Sequence, residues 1–295
     1  MSISLSGVIP PATTAFDANG DINFAKVATQ INWLIDNGAN GVAVGGSTGE
    51  GHTLEGGEYR ELIATAVDAA GERAPVIAGI ITDSTWQSVA RGQAIRDLNV
   101  AALQVTPVHY LFRPSDDAMV EHFRTLAGET GQKIIIYNVV PWTYLSPELL
   151  IRIMTEVPDV IGVKQSAGDL KLFADLMADV PQDKLVFSAV DALMYSSYTL
   201  GAHGSIAAIL SAAPRPSVEL WDAVAAGDHP RAHDLHLKLL RLWNALMPHD
   251  NLPASTKYAQ TAQGCDAGVA RQPMSMPDAA HQARINEALS NLGLI

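Results

Sequence analysis

The chain has 295 residues, of which 48% are hydrophobic and 17% are charged, and its formal net charge is −12. This composition is typical of a globular protein with a large core and excludes a disordered chain. The negative charge disfavours nucleic acid and anionic membranes as partners. Cys265 is the only cysteine, so no intrachain disulfide can form. The N-terminus lacks the basic and apolar regions of a signal peptide, and no apolar stretch reaches about 18 residues, so we expect a cytoplasmic protein without a membrane span.

Strand and helix patterns alternate along the first 227 residues. The predicted strands are Gly7–Pro10, Gly41–Val44, Val76–Gly79, Ala101–Val105, Lys133–Tyr137, Val160–Lys164, Lys184–Ser188 and Gly204–Ala207. The predicted helices are Phe24–Asn37, Glu58–Ala70, Thr85–Leu98, Asp116–Thr130, Ser146–Val157, Leu170–Asp179, Leu193–Leu200 and Arg215–Ala226. Eight βα units in succession indicate the α/β class and predict a closed (β/α)₈ TIM barrel, with an open doubly wound sheet as the alternative.

The pattern changes to helices alone after residue 227. The predicted helices there are Pro230–Leu246, Pro253–Gln263 and Pro277–Leu292. We therefore predict a catalytic barrel over residues 1–227 and a C-terminal helical region over residues 228–295 that packs on the barrel.

Chemistry in a (β/α)₈ barrel is carried at the carboxyl ends of the strands. The polar or reactive side chains at those ends are Ser47, Thr48, Glu50, Thr82, Asp83, Thr106, His109, Tyr110, Tyr137, Asn138, Lys164, Gln165, Ser166, Ser188, Asp191 and Ser205. Lys164 closes an apolar strand, and burial of an amine favours its neutral form. A neutral lysine amine attacks carbonyls and forms a Schiff base. The alternative is a strand-end lysine whose amine reaches the surface.

Two further sequence patterns are relevant to the role of Lys164. The glycine-rich loop Gly45–Glu50 carries Ser47 and Thr48 and has the size of a carboxylate site, or is an ordinary βα turn. Tyr137 ends the strand before that of Lys164, so the two residues would be neighbours, with Tyr137 as a proton shuttle or a core aromatic. Ser47 also lies in a G-x-S-x-G pattern of serine hydrolases, but glycines delay the following helix to about Glu58.

Other patterns carry less chemistry. His229, His233 and His236 have helical spacing, which indicates a solvated helix face rather than a metal site. The sequence has no P-loop, no G-x-G-x-x-G and no paired-cysteine motif. The sequence therefore supports neither a nucleotide site nor a zinc site, and an imine-forming lysine needs neither a metal nor an organic cofactor.

Four motifs together resemble the dihydrodipicolinate synthase / N-acetylneuraminate lyase family of class I Schiff-base lyases. They are Gly46-Ser47-Thr48-Gly49-Glu50, Tyr137-Asn138-Val139, Gly162-Val163-Lys164 and Gly201-Ala202-His203-Gly204-Ser205-Ile206. The resemblance implies that Lys164 forms the imine with a pyruvate-like 2-oxo acid, that Tyr137 moves protons, and that Ser47 and Thr48 hold the carboxylate. It also implies that Ile206 lines the pocket and that the protein is a homotetramer built as a dimer of dimers.

The resemblance further implies a tyrosine that completes a proton relay from a neighbouring subunit. The matching loop runs from Thr106 to Pro114 and looks about two residues longer than in the family. Tyr110 is the candidate for this role, with His109 as its competitor.

Two departures from the family pattern concern the second substrate. Trp142 stands where the synthases carry an arginine for the carboxylate of the aldehyde, and tryptophan cannot provide a bidentate grip. The glycine-rich turn after the seventh strand contains Ala189 and no glycine. An apolar or non-carboxylate aldehyde therefore fits Trp142 and Phe112 better, unless Trp142 only packs.

The sequence thus predicts an enzyme that joins a 2-oxo acid to an aldehyde, splits the condensation product, or removes water. The nearest alternative is 4-hydroxy-tetrahydrodipicolinate (dihydrodipicolinate) synthase itself. A serine hydrolase that uses Ser47 and a non-catalytic protein that binds a 2-oxo acid are the alternatives from other classes.

Overall fold

A computed structural model describes residues 5–108, 110–248 and 251–295. Within these ranges eight parallel strands form one sheet in the order β1-β8-β7-β6-β5-β4-β3-β2. The sheet closes between its two ends, because Pro11 bridges Ala43 and the Ala43 amide donates to the Pro10 carbonyl at 3.0 Å. The predicted closed barrel is confirmed. The strands are β1 (Gly7–Val8), β2 (Val42–Val44), β3 (Val76–Ile80), β4 (Ala102–Val105), β5 (Ile134–Asn138), β6 (Val160–Gln165), β7 (Leu185–Ser188) and β8 (Gly204–Ser205).

The same ranges contain twelve α-helices. They are α1 (Phe24–Asp36), α2 (Gly56–Ala70), α3 (Thr85–Ala94), α4 (Asp116–Thr130), α5 (Pro147–Glu156), α6 (Leu170–Asp179), α7 (Met194–Thr199), α8 (Ala208–Ala212), α9 (Pro214–Ala225), α10 (His229–Leu246), α11 (Leu252–Ala262) and α12 (Ala279–Asn291). Every predicted strand and helix is present. Helix α8 is an addition to the predicted set.

Polar side chains determine where several helices begin. Asn23, Ser84, Ser115 and Ser146 each accept a hydrogen bond from a backbone amide in the first turn of the helix that follows. Helix α2 begins two residues before its predicted start at Glu58. The Glu58 carboxylate accepts from the Glu55 amide at 3.0 Å, and this capping box fixes the start at Gly56.

The barrel has an interior layer and an outer layer of apolar side chains. Alternate strand residues point inward and pack together, among them Ile9, Ile77, Ile135 and Phe187. The other strand residues face the helices and belong to the larger core. The strand register brings Tyr137 on β5 level with Lys164 on β6. Both inward-pointing side chains therefore lie at the carboxyl end of the barrel.

The C-terminal helices share the core of the barrel. Leu239 and Leu242 of α10 and Ile285 of α12 are fully or almost fully buried in the same apolar cluster as the outer faces of the strands. The division between residues 227 and 228 stays a prediction. Among the residues that the structure describes, no helix has the length and apolar character needed to cross a membrane.

Candidate active site

A cavity of about 380 Å³ opens at the carboxyl ends of the strands. Six of the eight predicted site residues line it: Ser47, Thr48, Tyr137, Lys164, Ala189 and Ile206. The remaining lining residues are His52, Val139, Ser166, Asp191, Ala207, Ala208, Leu252, Pro253 and Met274. The residues predicted at five different strand ends therefore come together in one space.

Lys164 lies inside the cavity and not at the surface. Its side chain is buried, with 3% exposure, and its Nζ lies 3.6 Å from the centroid of the Tyr137 ring. Burial lowers the pKa of Lys164 to about 7, although the nearby Asp191 carboxylate acts in the opposite direction. A large fraction of the amine is therefore neutral, and nucleophilic, near pH 7.

Tyr137 connects the lysine to the glycine-rich loop. Its hydroxyl donates a hydrogen bond to Ser47 Oγ at 3.2 Å. Burial raises the pKa of Tyr137 to about 12, with a further rise from Asp191, while the bond to Ser47 lowers it. The phenol is therefore protonated at neutral pH and can exchange its proton with a group beside Lys164.

Asp191 is a further ionisable group of the cavity, and the motifs assigned no role to it. Its Oδ1 accepts from the Ile209 amide at 2.7 Å, at the start of the short helix α8. Burial raises the pKa of Asp191 to about 6, while the backbone donors and Lys164 lower it. The carboxylate is thus an electrostatic partner of the lysine. The position of Asp191 just after β7, at the carboxyl end of the barrel, was the signal in the sequence for such a role.

The glycine-rich loop has a conformation that side chains would prevent. A Cβ atom on Gly51 would lie 1.8 Å from the Gly45 carbonyl oxygen, and Gly45 itself has φ 77°. The Thr14 hydroxyl donates to the Gly49 carbonyl at 2.6 Å and fixes the loop from the side of β1. Ser47 and Thr48 consequently face the cavity.

The serine-hydrolase alternative lacks its geometry. Ser47 Oγ accepts a hydrogen bond from the Tyr137 hydroxyl, whereas the hydroxyl of a catalytic serine donates to a histidine. The loop continues into a short 3₁₀ segment at Gly51–Thr53 before α2 begins, so no nucleophile elbow forms. His203 precedes β8 at the opposite end of the barrel, and His249 lies outside the described residues.

Trp142 and Tyr110 lie outside this cavity. Trp142 is 62% exposed and lines an adjoining pocket of about 380 Å³ that shares Ser47, His52 and Val139 with the cavity. Its Nε1 donates to the Tyr110 carbonyl at 2.7 Å. The Tyr110 side chain is 61% exposed and lines a third pocket with Asp83, Val108 and Phe112. His109, the competitor of Tyr110, lies outside the described residues.

Several cavity residues come from sequence that the motifs did not cover. Leu252 and Pro253 begin helix α11, and Met274 lies in the segment before α12. His52 follows the glycine-rich loop and borders both the cavity and the pocket of Trp142. No local pattern could have revealed residues that reach the site only through tertiary packing.

The three histidines of α10 lie around Tyr195, and none of these four residues lines the cavity. The Tyr195 hydroxyl lies 3.1 Å from His229 Nδ1, and its ring lies 6.3 Å from that of His233 and 6.0 Å from that of His236. Over the described part of the chain, no group of three or more His, Cys, Asp or Glu residues could hold a metal ion.

The chain is similar to known proteins in sequence and in fold. The model of the dihydrodipicolinate synthetase family matches residues 4–292. The chain belongs to this family. A 4-hydroxy-tetrahydrodipicolinate synthase from Bacillus subtilis (strain 168) is 33% identical over 264 residues, which cover 88% of this chain and 90% of that enzyme. The enzyme of the same name from Ralstonia nicotianae is 31% identical over 294 residues, or 99% of each chain.

Solved structures of the dihydrodipicolinate synthetase family share the whole fold. The crystal structure of dihydrodipicolinate synthase from Aquifex aeolicus superposes with a TM-score of 0.92 at 27% identity, covering 98% of this chain and 99% of that one. The chain is therefore an enzyme, a class I lyase of the Schiff-base-forming type, as its motifs predicted. The roles of its individual site residues stay predictions.

Proposed function

We propose that this enzyme binds pyruvate or a similar 2-oxo acid as an imine on Lys164 and makes or breaks a carbon–carbon bond beside it. The observation that carries the proposal is the Lys164 amine, buried against Tyr137 with its pKa lowered to about 7. Desolvation of this kind serves an amine that must attack a carbonyl at neutral pH.

The imine step uses three groups of the cavity. Lys164 Nζ attacks the keto carbon, and the carbinolamine loses its oxygen as water after Tyr137 supplies a proton. The glycine-rich loop binds the carboxylate through the backbone amides and hydroxyls of Ser47 and Thr48. Ile206 and Ala189 form the apolar walls that orient the bound acid.

The carbon–carbon step follows from the positive charge on the imine nitrogen. This charge acidifies the adjacent methyl group. Its proton passes to the Tyr137 phenolate left by the loss of water, and the electrons of the C–H bond form an enamine. The enamine carbon attacks the aldehyde carbon, and the aldehyde oxygen takes up a proton. Water then hydrolyses the product imine and frees Lys164. Cleavage is the reverse of these steps, and in a dehydration the loss of water follows them. The protonated imine is the electron sink, so the proposed reaction needs no metal or organic cofactor.

The proposed second substrate is an aldehyde with an apolar or aromatic body. The pocket beside the cavity is lined mainly by apolar groups, among them Ile81, Val139, Pro141 and Trp142. Indole offers a stacking surface and no charge for a carboxylate. The alternative is the reaction named for the relatives, 4-hydroxy-tetrahydrodipicolinate synthesis, which the identities of 33% and 31% along most of the chain favour.

The proposed assembly is a homotetramer in which Tyr110 completes the site of a neighbouring subunit. The support is a run of exposed side chains in one loop: Tyr110 is 61% exposed, Leu111 70% and Phe112 78%. Contiguous apolar groups of this kind are typical of an interface. A cytoplasmic location also stays a prediction.

Exchange of the pyruvate methyl protons with deuterated water, followed by NMR, tests the proposed function. The enzyme is expected to exchange these protons without an aldehyde, because the enamine forms as soon as the imine is deprotonated. A protein that only binds the acid would leave the methyl signal unchanged. An aldehyde panel that contains aspartate semialdehyde and benzaldehyde then separates the two candidate reactions.

A further inference from the structure

A buried ion pair joins the glycine-rich loop to the C-terminal helical region. Lys257 Nζ of α11 bonds the Glu50 carboxylate, 207 residues away in the sequence. Neither side chain is exposed to any extent.

Both oxygens of the Glu50 carboxylate are held by C-terminal groups. Oε2 bonds Lys257, and Oε1 accepts from the Arg271 amide at 2.9 Å. Lys257 Nζ also donates to the Val269 carbonyl at 2.7 Å, so the amine ties the loop and the segment before α12 together. The Arg271 guanidinium donates to the Thr53 carbonyl at 2.8 Å, just beyond the loop.

The backbone of Glu50 has a conformation that demands such support. Glu50 has φ 54°, and among the described residues it is the only non-glycine residue with a positive φ. Its amide donates to the Ser47 carbonyl at 3.0 Å, and the Gly51 amide donates to the Gly46 carbonyl at 3.0 Å. The left-handed turn at Glu50 therefore closes the loop on which Ser47 and Thr48 lie.

The segment that anchors Glu50 also forms part of the cavity wall. Met274 lies three residues after Arg271, and Pro253 lies one turn before Lys257 on α11; both line the cavity. Displacement of the segment that holds Glu50 would therefore move both the glycine-rich loop and this part of the cavity wall. A buried ion pair contributes little net stability because both charges lose water, so stability alone is a weak reason for this one.

We infer that Glu50 and Lys257 are positioning residues that orient the Ser47–Thr48 loop for the carboxylate of the 2-oxo acid. The inference rests on the proposed function. On this inference the C-terminal helices take part in substrate binding through the Ser47–Thr48 loop. None of the sequence motifs assigned that role to them. A misplacement of about 1 Å at such a loop costs on the order of 100-fold in rate or affinity.

The double variant Glu50→Gln/Lys257→Met tests the inference, because it removes both buried charges at nearly constant volume and leaves no unpaired ion. In the deuterium-exchange assay the KM for pyruvate is expected to rise by about 10- to 100-fold, with a much smaller change in kcat. The pH midpoint of borohydride trapping at saturating pyruvate should stay that of the wild type, because Lys164 is untouched. A folded double variant with a wild-type KM overturns the inference.

Asp266→Asn is the matched control. Lys26 and Asp266 form a surface ion pair at 2.7 Å that ties the same C-terminal segment to α1, with Asp266 62% exposed. Loss of this pair should leave the KM for pyruvate unchanged. A KM that rises as much as in the double variant would mean that any loosening of the segment has the same effect, which contradicts a specific role of Glu50 and Lys257.

Thermal unfolding shows whether the double variant folds. If it does not fold, a second variant provides the test. Glu50→Asp preserves the charge balance but shortens the side chain by one methylene, so the loop or the pair must shift. Its KM for pyruvate is expected to rise, and an unchanged KM overturns the inference. If the wild type itself neither exchanges methyl protons nor traps pyruvate, the proposed function fails instead, independently of these variants.

Discussion

Lys164 and Asp191 face the same cavity, and each changes the protonation of the other. Burial lowers the pKa of Lys164 to about 7 and raises that of Asp191 to about 6, while the attraction between their charged forms acts against both shifts. The lysine is therefore more basic than burial alone would make it.

Borohydride trapping of the pyruvate imine should increase with pH through a midpoint near 7, because only the neutral Lys164 amine attacks the keto carbon. Asp191→Asn removes the charge that raises the pKa of Lys164, so the midpoint is expected to move to lower pH. The measurement is the initial rate of trapping across pH. Asp183→Asn, which changes a carboxylate that is 77% exposed beside Lys184, is the control and should leave the midpoint in place. An unchanged or higher midpoint in Asp191→Asn would contradict the electrostatic account.

Tyr137→Phe tests the proton shuttle. Phenylalanine keeps the ring beside Lys164 Nζ but removes the hydroxyl that donates to Ser47. Loss of a general acid–base group is expected to slow methyl-proton exchange by about 10²- to 10⁴-fold at saturating pyruvate. Tyr195→Phe removes a hydroxyl that contacts His229 of α10 and does not line the cavity, so this variant should retain the wild-type rate. A wild-type rate in Tyr137→Phe would exclude the shuttle.

At the scale of elements, the strands could be predicted because they are short apolar runs buried on both faces, and the strand order follows from eight successive βα units. Helix α8 could not be predicted. All five residues of Ala208–Ala212 are buried, so the segment shows no amphipathic period. Helix α3 ends at Ala94, before its predicted end at Leu98, because the chain turns at Ile95.

The sequence predicted the parts of the site that lie on consecutive strands or within one loop. Tyr137 and Lys164 end β5 and β6, so their contact follows from the barrel itself. The pair of Glu50 and Lys257 does not follow, because its partners are 207 residues apart and meet only when α11 packs on the barrel. Met274 and Pro253 reach the cavity for the same reason.

In the proposed function, the loop between β5 and α5 is expected to determine which aldehyde the enzyme accepts. Trp142→Arg supplies the guanidinium that the chain lacks there, so the ratio of kcat/KM for aspartate semialdehyde to that for benzaldehyde is expected to rise about tenfold or more. Steady-state kinetics with both aldehydes gives the ratio. Trp86→Arg makes the same substitution at a tryptophan that is 79% exposed on α3 and should leave the ratio unchanged. If Trp142→Arg also leaves it unchanged, Trp142 only packs.

At the scale of the whole molecule, the exposed loop of Tyr110, Leu111 and Phe112 predicts self-association. Leu111→Ser/Phe112→Ser removes most of the apolar surface of this loop, so the molar mass measured by light scattering is expected to fall below that of the wild type. Leu237→Ser, at a leucine that is 41% exposed on α10, is the control and should keep the wild-type mass. A double variant with the wild-type mass would show that the loop is not an interface.

The central claim is that Lys164 forms the covalent imine, and reduction of the pyruvate complex with borohydride followed by peptide mass mapping tests it most directly. The peptide that contains Lys164 is expected to carry the mass of the reduced pyruvate adduct, and Lys164→Arg should abolish the adduct. An unmodified protein after this treatment, or an adduct on another lysine such as Lys171 or Lys184, would contradict the account.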